Sequence, residues 1–293
     1  MTTFTILKGH EKDLGGGLLV HRYLPSAIKQ AVGPFIFFDH FGPLDVAPGA
    51  KHDVRPHPHI GLATVTYLFE GAMDHRDSLG NFQRIQPGAI NWMTAGRGIV
   101  HSERTPPDLV DIPHRAHGLQ LWAALPLAHE EDEPSFTHTP QSAIPLVQLD
   151  GATIKVLIGT AFGQTSPVAT YMQTLYLDVV LQAGQELRLS DLPPEVAIYP
   201  ISGELEIDGD KLELHTMALL AADSAALVRA SSTAQFVVIG GEPLDGPRYI
   251  WWNFVSSSKQ RLAQAGDDWE AQRMGQVPGE TEFIPLPERP KRD

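Results

Sequence analysis

Residues 55–71 read RPHPHIGLATVTYLFEG, and residues 94–104 read TAGRGIVHSER. Each stretch holds two metal-competent side chains at a spacing of two: His57 and His59 in the first, His101 and Glu103 in the second. On an extended strand, residues two apart project from the same face, so each pair presents two ligands side by side. Brought together across a barrel interior, the pairs supply three imidazoles and one carboxylate. That donor set suits iron(II), manganese or zinc and leaves positions open for water or substrate.

The flanking residues carry strand and turn signals. Leu62 to Phe69 is rich in β-branched and aromatic residues and closes on Glu70-Gly71, which predicts a strand running into a turn. Pro56 and Pro58 lack the N–H that a central strand donates, which places this stretch at a barrel mouth or edge. Ahead of the second pair, Gln86-Pro87-Gly88 predicts a turn and Ala89 to Met93 a short strand. Gly96-Arg97-Gly98 then predicts a sharp bend that returns the chain toward the site.

At 293 residues the chain is long enough for two ordinary domains, and 26 Gly and 24 Pro among short apolar runs favour many strands over long helices. It has no cysteine, which excludes disulfides, thiolate zinc sites, iron–sulfur ligation and cysteine nucleophiles. Any metal must therefore sit on nitrogen and oxygen. A net charge of −13 argues against a nucleic-acid partner and leaves a small molecule or a protein. No apolar segment approaches the ~20 residues needed to cross a bilayer. The opening MTTFTILKGHEKDLGGG lacks a basic region followed by an apolar one. The expectation is a cytoplasmic protein without a membrane partner.

Leu125-Pro126-Leu127 and the acidic run from Glu130 to Pro134 predict an exposed connection, dividing the chain into domains 1–134 and 135–293. The second half holds a comparable series. Thr174 to Leu181 reads as a strand, Ala183-Gly184 as a turn, Glu195 to Tyr199 as a strand, and Ser202 to Asp210 as a hairpin around Asp208-Gly209. Phe69 to Asp74 corresponds to Ile201 to Glu206, a weak internal repeat. In that register His101 falls opposite Arg229, Glu103 opposite Ser231, and His57 and His59 near Leu187 to Asp191. The second copy lacks all three imidazoles, so one barrel holds the metal and the other serves as scaffold or interaction surface. In the tail, Ser258 to Met274 has helical content with Leu262, Trp269 and Met274 as buried positions, weakened at Ala265 to Asp268. Phe283 to Pro290 reads as extended surface chain.

These residues resemble the pirin family, a branch of the cupin superfamily. The resemblance covers nearly the whole chain through Phe37-Phe38-Asp39-His40-Phe41-Gly42-Pro43, His57-Pro58-His59-Ile60-Gly61, Gly96-Arg97-Gly98-Ile99-Val100-His101-Ser102-Glu103 and Gly118-Leu119-Gln120-Leu121-Trp122. Cupins generally place a Glu five residues after the second His of the first motif. Thr64 stands there, a pirin-like departure in which Glu103 supplies the carboxylate instead. The resemblance implies an all-β fold of two cupin barrels, each a double-stranded β-helix or jelly roll, packed face to face with few short helices. It implies a metal in the N-terminal barrel on His57, His59, His101 and Glu103. Iron(II) is the metal associated with the family, with zinc, manganese, nickel and copper as alternatives.

The resemblance further implies the quercetin 2,3-dioxygenase activity of some bacterial members, with a flavonol as the small aromatic substrate. Eukaryotic members imply a different role, an iron-binding, redox-sensitive regulator that meets an enzyme or transcription factor. A flavonol dioxygenase needs a metal for the substrate's 3-hydroxyl oxygen and a base for its proton. Glu103 is the candidate catalytic base, a resting-state ligand that loosens when substrate binds. Asp39 and His40, read as part of a FFDHFGP turn, are placed to cover the barrel mouth, to hydrogen-bond a ligand's ring N–H, or simply to stabilise that turn. Gln120 and Trp122 share one strand face, as pocket lining or as core. His52, His75, His114, His117, His129, His138 and His215 read as surface or ordinary core.

Overall fold

The computed structural model describes residues 4–13, 19–50, 52–222 and 224–288. Among them the only α-helix is Lys259–Glu270, and nearly everything else ordered is strand. The strands form two barrels of matching design, each a seven-stranded sheet facing a four-stranded one. The N-terminal large sheet runs Ser135–Thr139, Ile90–Thr94, Leu62–Glu70, His114–Ala124, Phe35–Val46, Leu19–Leu24 and His10–Asp13. Its small sheet runs Val54–His59, Ile99–Arg104, Met73–Asp77 and Phe82–Ile85. The second barrel repeats this with Phe4–Lys8, Thr216–Leu220, Glu195–Ser202, Ala234–Gly241, Thr174–Leu181, Ala152–Ile158 and Leu146–Leu149 against Glu186–Leu189, Ala226–Ala230, Leu205–Ile207 and Asp210–Leu212.

The two large sheets pack face to face, because strand side chains alternate and each central strand feeds two cores. Ala63, Val65, Tyr67, Leu119, Leu121 and Ala123 face the second barrel and join Tyr176, Tyr199, Val237 and Ile239 in one cluster. Leu62, Trp122 and Ala124 face the other way, into the N-terminal barrel, with Phe37, Met93 and Ile99. Burying a Leu, Ile or Phe side chain contributes about 1.5–3 kcal/mol. The shared cluster, rather than the connecting segment, therefore holds the barrels together.

Strand pairing crosses the expected division at 134/135 in two places. Ser135–Thr139 pairs with Ile90–Thr94 in the first barrel, and Phe4–Lys8 pairs with Thr216–Leu220 in the second. The FFDHFGP segment is not a turn. It lies inside the strand Phe35–Val46, paired on both sides from Phe38 to Phe41, and Gly42-Pro43 marks only an irregularity where the register shifts opposite Ala116 to Gly118.

The helix also runs unbroken through Ala265 to Asp268, started by the Ser258 hydroxyl, which accepts from the Arg261 N–H at 3.3 Å. Leu262, Ala265, Gly266 and Trp269 form its buried stripe, and that packing outweighs the weak propensity of glycine. Met274 is half-buried against the same cluster. The following chain is docked rather than loose: the Ile284 N–H donates to Pro56 O at 2.8 Å, and the Trp269 indole donates to Ile284 O at 3.0 Å. Arg289 and Pro290 lie outside the described residues.

The repeat is visible in the ladders. His101 sits between His57 and Asp77 just as Val228 sits between Leu187 and Ile207. Glu103 lies across from His75 as Ala230 lies across from Leu205, and Ile99 across from His59 as Ala226 from Leu189. The expected register is thus off by one, since Arg229 is exposed where His101 is buried, and a one-residue slip turns a strand inside out. Corrected, the polar set of the first barrel is matched by Leu187, Leu189, Val228, Ala230, Leu205 and Ile207, all in the second barrel's apolar core.

Candidate metal centre

His57 and His59 share a face of the edge strand Val54–His59, and His101 stands directly across the ladder from His57. The prolines suit this edge, where missing N–H groups cost no central pairing. One donor atom from each of the three histidines falls within 4.8 Å of the other two. The ring centroids are 4.3 Å apart for His57 and His101, and 5.0 Å for each of the other pairs. The rings are nearly sealed, at 6%, 1% and 1% exposure.

The other ring nitrogens are engaged in ways that fix the tautomers. His57 Nδ1 donates to Arg55 O at 2.9 Å and His59 Nδ1 to Asn253 O at 3.2 Å, leaving each Nε2 with a lone pair. His101 Nδ1 lies 3.3 Å from His75 Nδ1, and His101 Nε2 is buried without a partner. An orphaned acceptor between two similar lone pairs fits a cation, which would satisfy all three at once. Burial holds His57 down to about 4, and burial with neighbouring imidazoles holds His59 and His101 well below their ordinary value. The triad is therefore neutral at physiological pH, the form that binds metals.

Glu103 is not among the side chains gathered within 4.8 Å. The ladder to Val54–His59 shifts register between His101 and Glu103, so the carboxyl does not simply continue the row of histidines. It is buried, and that burial pushes it up to about 7.

Two rows of the large sheet line the barrel beside the triad. Phe136, Met93, Thr64, Trp122 and Phe37 form one, with Phe37 stacked on Trp122 at 4.0 Å and the Trp122 ring edge-on to His59 at 5.2 Å. His138, Asn91, Thr66, Gln120, Asp39 and Arg22 form the next. Gln120 and Trp122 do share the inward face, and Thr64 occupies it with them. Asp39 is taken by a two-pronged Arg22 pair at 2.7 Å, while His40 faces the second barrel and bonds the Tyr199 hydroxyl at 2.7 Å and His117 at 2.8 Å. Neither bonds a triad nitrogen: Asp39 faces inward but gives both oxygens to Arg22, and His40, the next residue along the strand, points to the opposite face.

His75, which reads from sequence as surface or ordinary core, stands next to the triad. It is buried beside His101, stacked on Phe136 at 4.2 Å, and bonded to Asp77 Oδ2 at 3.0 Å. Burial alone would raise the Asp77 carboxyl, but hydrogen bonds from His75 and Asn81 outweigh it and hold it low. The signal was present, since His75 and Asp77 are a third pair at a spacing of two. Asn253 left none, because it contributes only its backbone carbonyl.

Two facing β-barrels with a neutral histidine triad in one and aliphatic side chains at the matching positions of the other define a two-domain cupin protein with one candidate metal centre. The Pirin family matches residues 17–123, and the pirin C-terminal cupin domain matches residues 176–275. A pirin-like protein of Caulobacter vibrioides is 45% identical over 97% of this chain and 99% of its own length. Pirin of Homo sapiens is 35% identical over 93% of each chain. A crystal structure of quercetin 2,3-dioxygenase from Acinetobacter baumannii superposes with a TM-score of 0.92 at 33% identity, covering 99% of this chain and 97% of that one. The chain belongs to the pirin family.

Proposed function

We propose that the protein is a metal-dependent dioxygenase acting on small enolisable aromatic compounds, with cleavage of a quercetin-type flavonol as its activity. We assign His57, His59, His101 and Glu103 as the protein's ligands and iron(II) as the ion. The observation that carries this is the triad itself: three buried imidazoles kept neutral, with one Nε2 orphaned. The likeness to a quercetin 2,3-dioxygenase at 33% identity supports the substrate class.

A divalent ion bound there supplies positive charge for a substrate's enolate-like oxygen and a redox partner for dioxygen. The protein's own groups supply the rest. Glu103, held near neutrality by burial, takes the proton of the substrate hydroxyl. The Phe37–Trp122 stack offers an apolar wall for an aromatic ring, and the polar row beyond it meets ring hydroxyls. The second barrel, with no ligands at the matching positions, serves as scaffold.

The test takes one preparation and measures metal content, quercetin-dependent oxygen uptake and carbon monoxide release. The expected result is turnover with iron bound, abolished by His101→Ala. The near-closure of the triad favours a second reading, a redox-sensitive iron-binding regulator of an enzyme or transcription factor. Iron-loaded protein that consumes no oxygen would put that reading in place of the first.

A further inference from the structure

We propose that His75 and Asp77 are positioning residues for the metal centre, acting by fixing which nitrogen of His101 carries the proton. The proposal rests on the reading of the triad as a metal site. Asp77 is fully buried, and its Oδ1 accepts from the Leu79 N–H at 2.9 Å and the Asn81 N–H at 3.1 Å. Those bonds clamp the carboxylate and aim Oδ2 at His75 Nε2, 3.0 Å away. A carboxylate only accepts, so His75 carries its proton on Nε2 and turns a bare Nδ1 toward His101. Across 3.3 Å, His101 Nδ1 must then donate, which leaves His101 Nε2 unprotonated and ready for a cation.

The reverse arrangement is unfavourable at both ends. A proton on His75 Nδ1 alone would set a lone pair against the Asp77 carboxylate and put a proton on His101 Nε2. Stacking of Phe136 on the His75 ring, at 4.2 Å and 10°, holds that ring in place.

The second barrel separates this role from a merely structural one. At the positions matching His75 and Asp77 it carries Leu205 and Ile207, in the same sheet order and register. The small sheet therefore forms without the pair. The barrel that lacks the triad also lacks the relay.

Asp77→Asn tests the idea with almost no change of shape. The two backbone donors keep the amide oxygen at the Oδ1 position, the Asn81 side-chain amide that donates to Oδ2 at 2.9 Å turns its oxygen to accept instead, and the new amide nitrogen faces His75 Nε2 and reverses the chain of protons. His75→Gln preserves one acceptor and one donor. Nitrogen-15 NMR of metal-free protein reads the His101 tautomer, and competition against a chromophoric chelator reads zinc affinity. The parent and His75→Gln are expected to show the Nδ1–H form of His101. Asp77→Asn is expected to show the Nε2–H form and to bind zinc about 10–100-fold more weakly than the parent. An unchanged His101 tautomer, or parental zinc affinity, in Asp77→Asn overturns the proposal. Should that variant not fold, His75→Leu, which copies the second barrel, takes its place: parental zinc affinity there overturns the proposal equally. A parent that binds no zinc, with tautomers shifting as expected, sinks the metal reading and leaves the relay standing.

Discussion

Glu103 concentrates the chemistry proposed for a single residue. Burial raises it to about 7, so near neutral pH it can both take and release a proton, whereas an exposed carboxyl would be a poor base. Glu103→Gln keeps the shape and removes that capacity. Turnover of quercetin by metal-loaded protein is expected to fall by about 10²–10⁴-fold. Metal content should fall less, because the three imidazoles remain. Oxygen uptake and metal analysis on the same sample check this, and a variant as fast as the parent ends the assignment. At this scale the sequence was most legible where chemistry and spacing coincide, as at His57, His59 and His101. It was less so at His75, whose partner is a carboxylate two residues on rather than a second imidazole. It was silent at Asn253, where any residue with a carbonyl would serve.

Among the elements, the strand carrying His57 and His59 is held by chain that arrives almost two hundred residues later. Ile60 bridges Phe254 in parallel, the Val255 N–H donates to Ile60 O at 3.2 Å, and Asn253 O receives the His59 proton. Gly61 makes this approach possible, since it sits at φ +68° and a Cβ there would lie 2.0 Å from Val255 O. Gly61→Ala is expected to cost at least about 1–3 kcal/mol from backbone strain alone. It should also weaken zinc binding, because displacing the tail removes the acceptor that orients His59. Thermal unfolding and a zinc titration measure the two effects, and a melt equal to the parent's refutes the account. Strand period and turn residues made the strands around the ligands readable in advance. The FFDHFGP segment misled because Phe38 to Phe41 pair on both sides and pairing with His114–Ala124 resumes at Leu44 beyond Gly42-Pro43, and nothing local announces that Phe4–Lys8 belongs to the distant sheet.

At the scale of the whole molecule, the contact between barrels carries its own titration. His40 lies in it, 2% exposed, between the Tyr199 hydroxyl and His117, with His215 and His21 close by. Burial first, then those neighbouring imidazoles, hold it down to about 3. An unfolded histidine titrates near ~6.5. Between that pH and about 3 the unfolded chain binds a proton that the native protein refuses, so acid favours unfolding. The contribution is complete above ~6.5 and declines by about 1.4 kcal/mol per pH unit below it, or about 2 kcal/mol by pH 5. His117 and His215 are lowered as well and add in the same direction, while Glu70, 3.8 Å from His117, works against it. The triad histidines also charge on unfolding, so acid sensitivity of the parent alone would not single out the interface. Comparison with His40→Gln does, because that variant keeps a polar side chain at the position and loses only its titration. Urea unfolding at pH 7.5 and pH 5 should show the parent losing about 2 kcal/mol more than the variant. Equal losses would mean that His40 is protonated in the folded protein, and that the barrels do not hold it neutral.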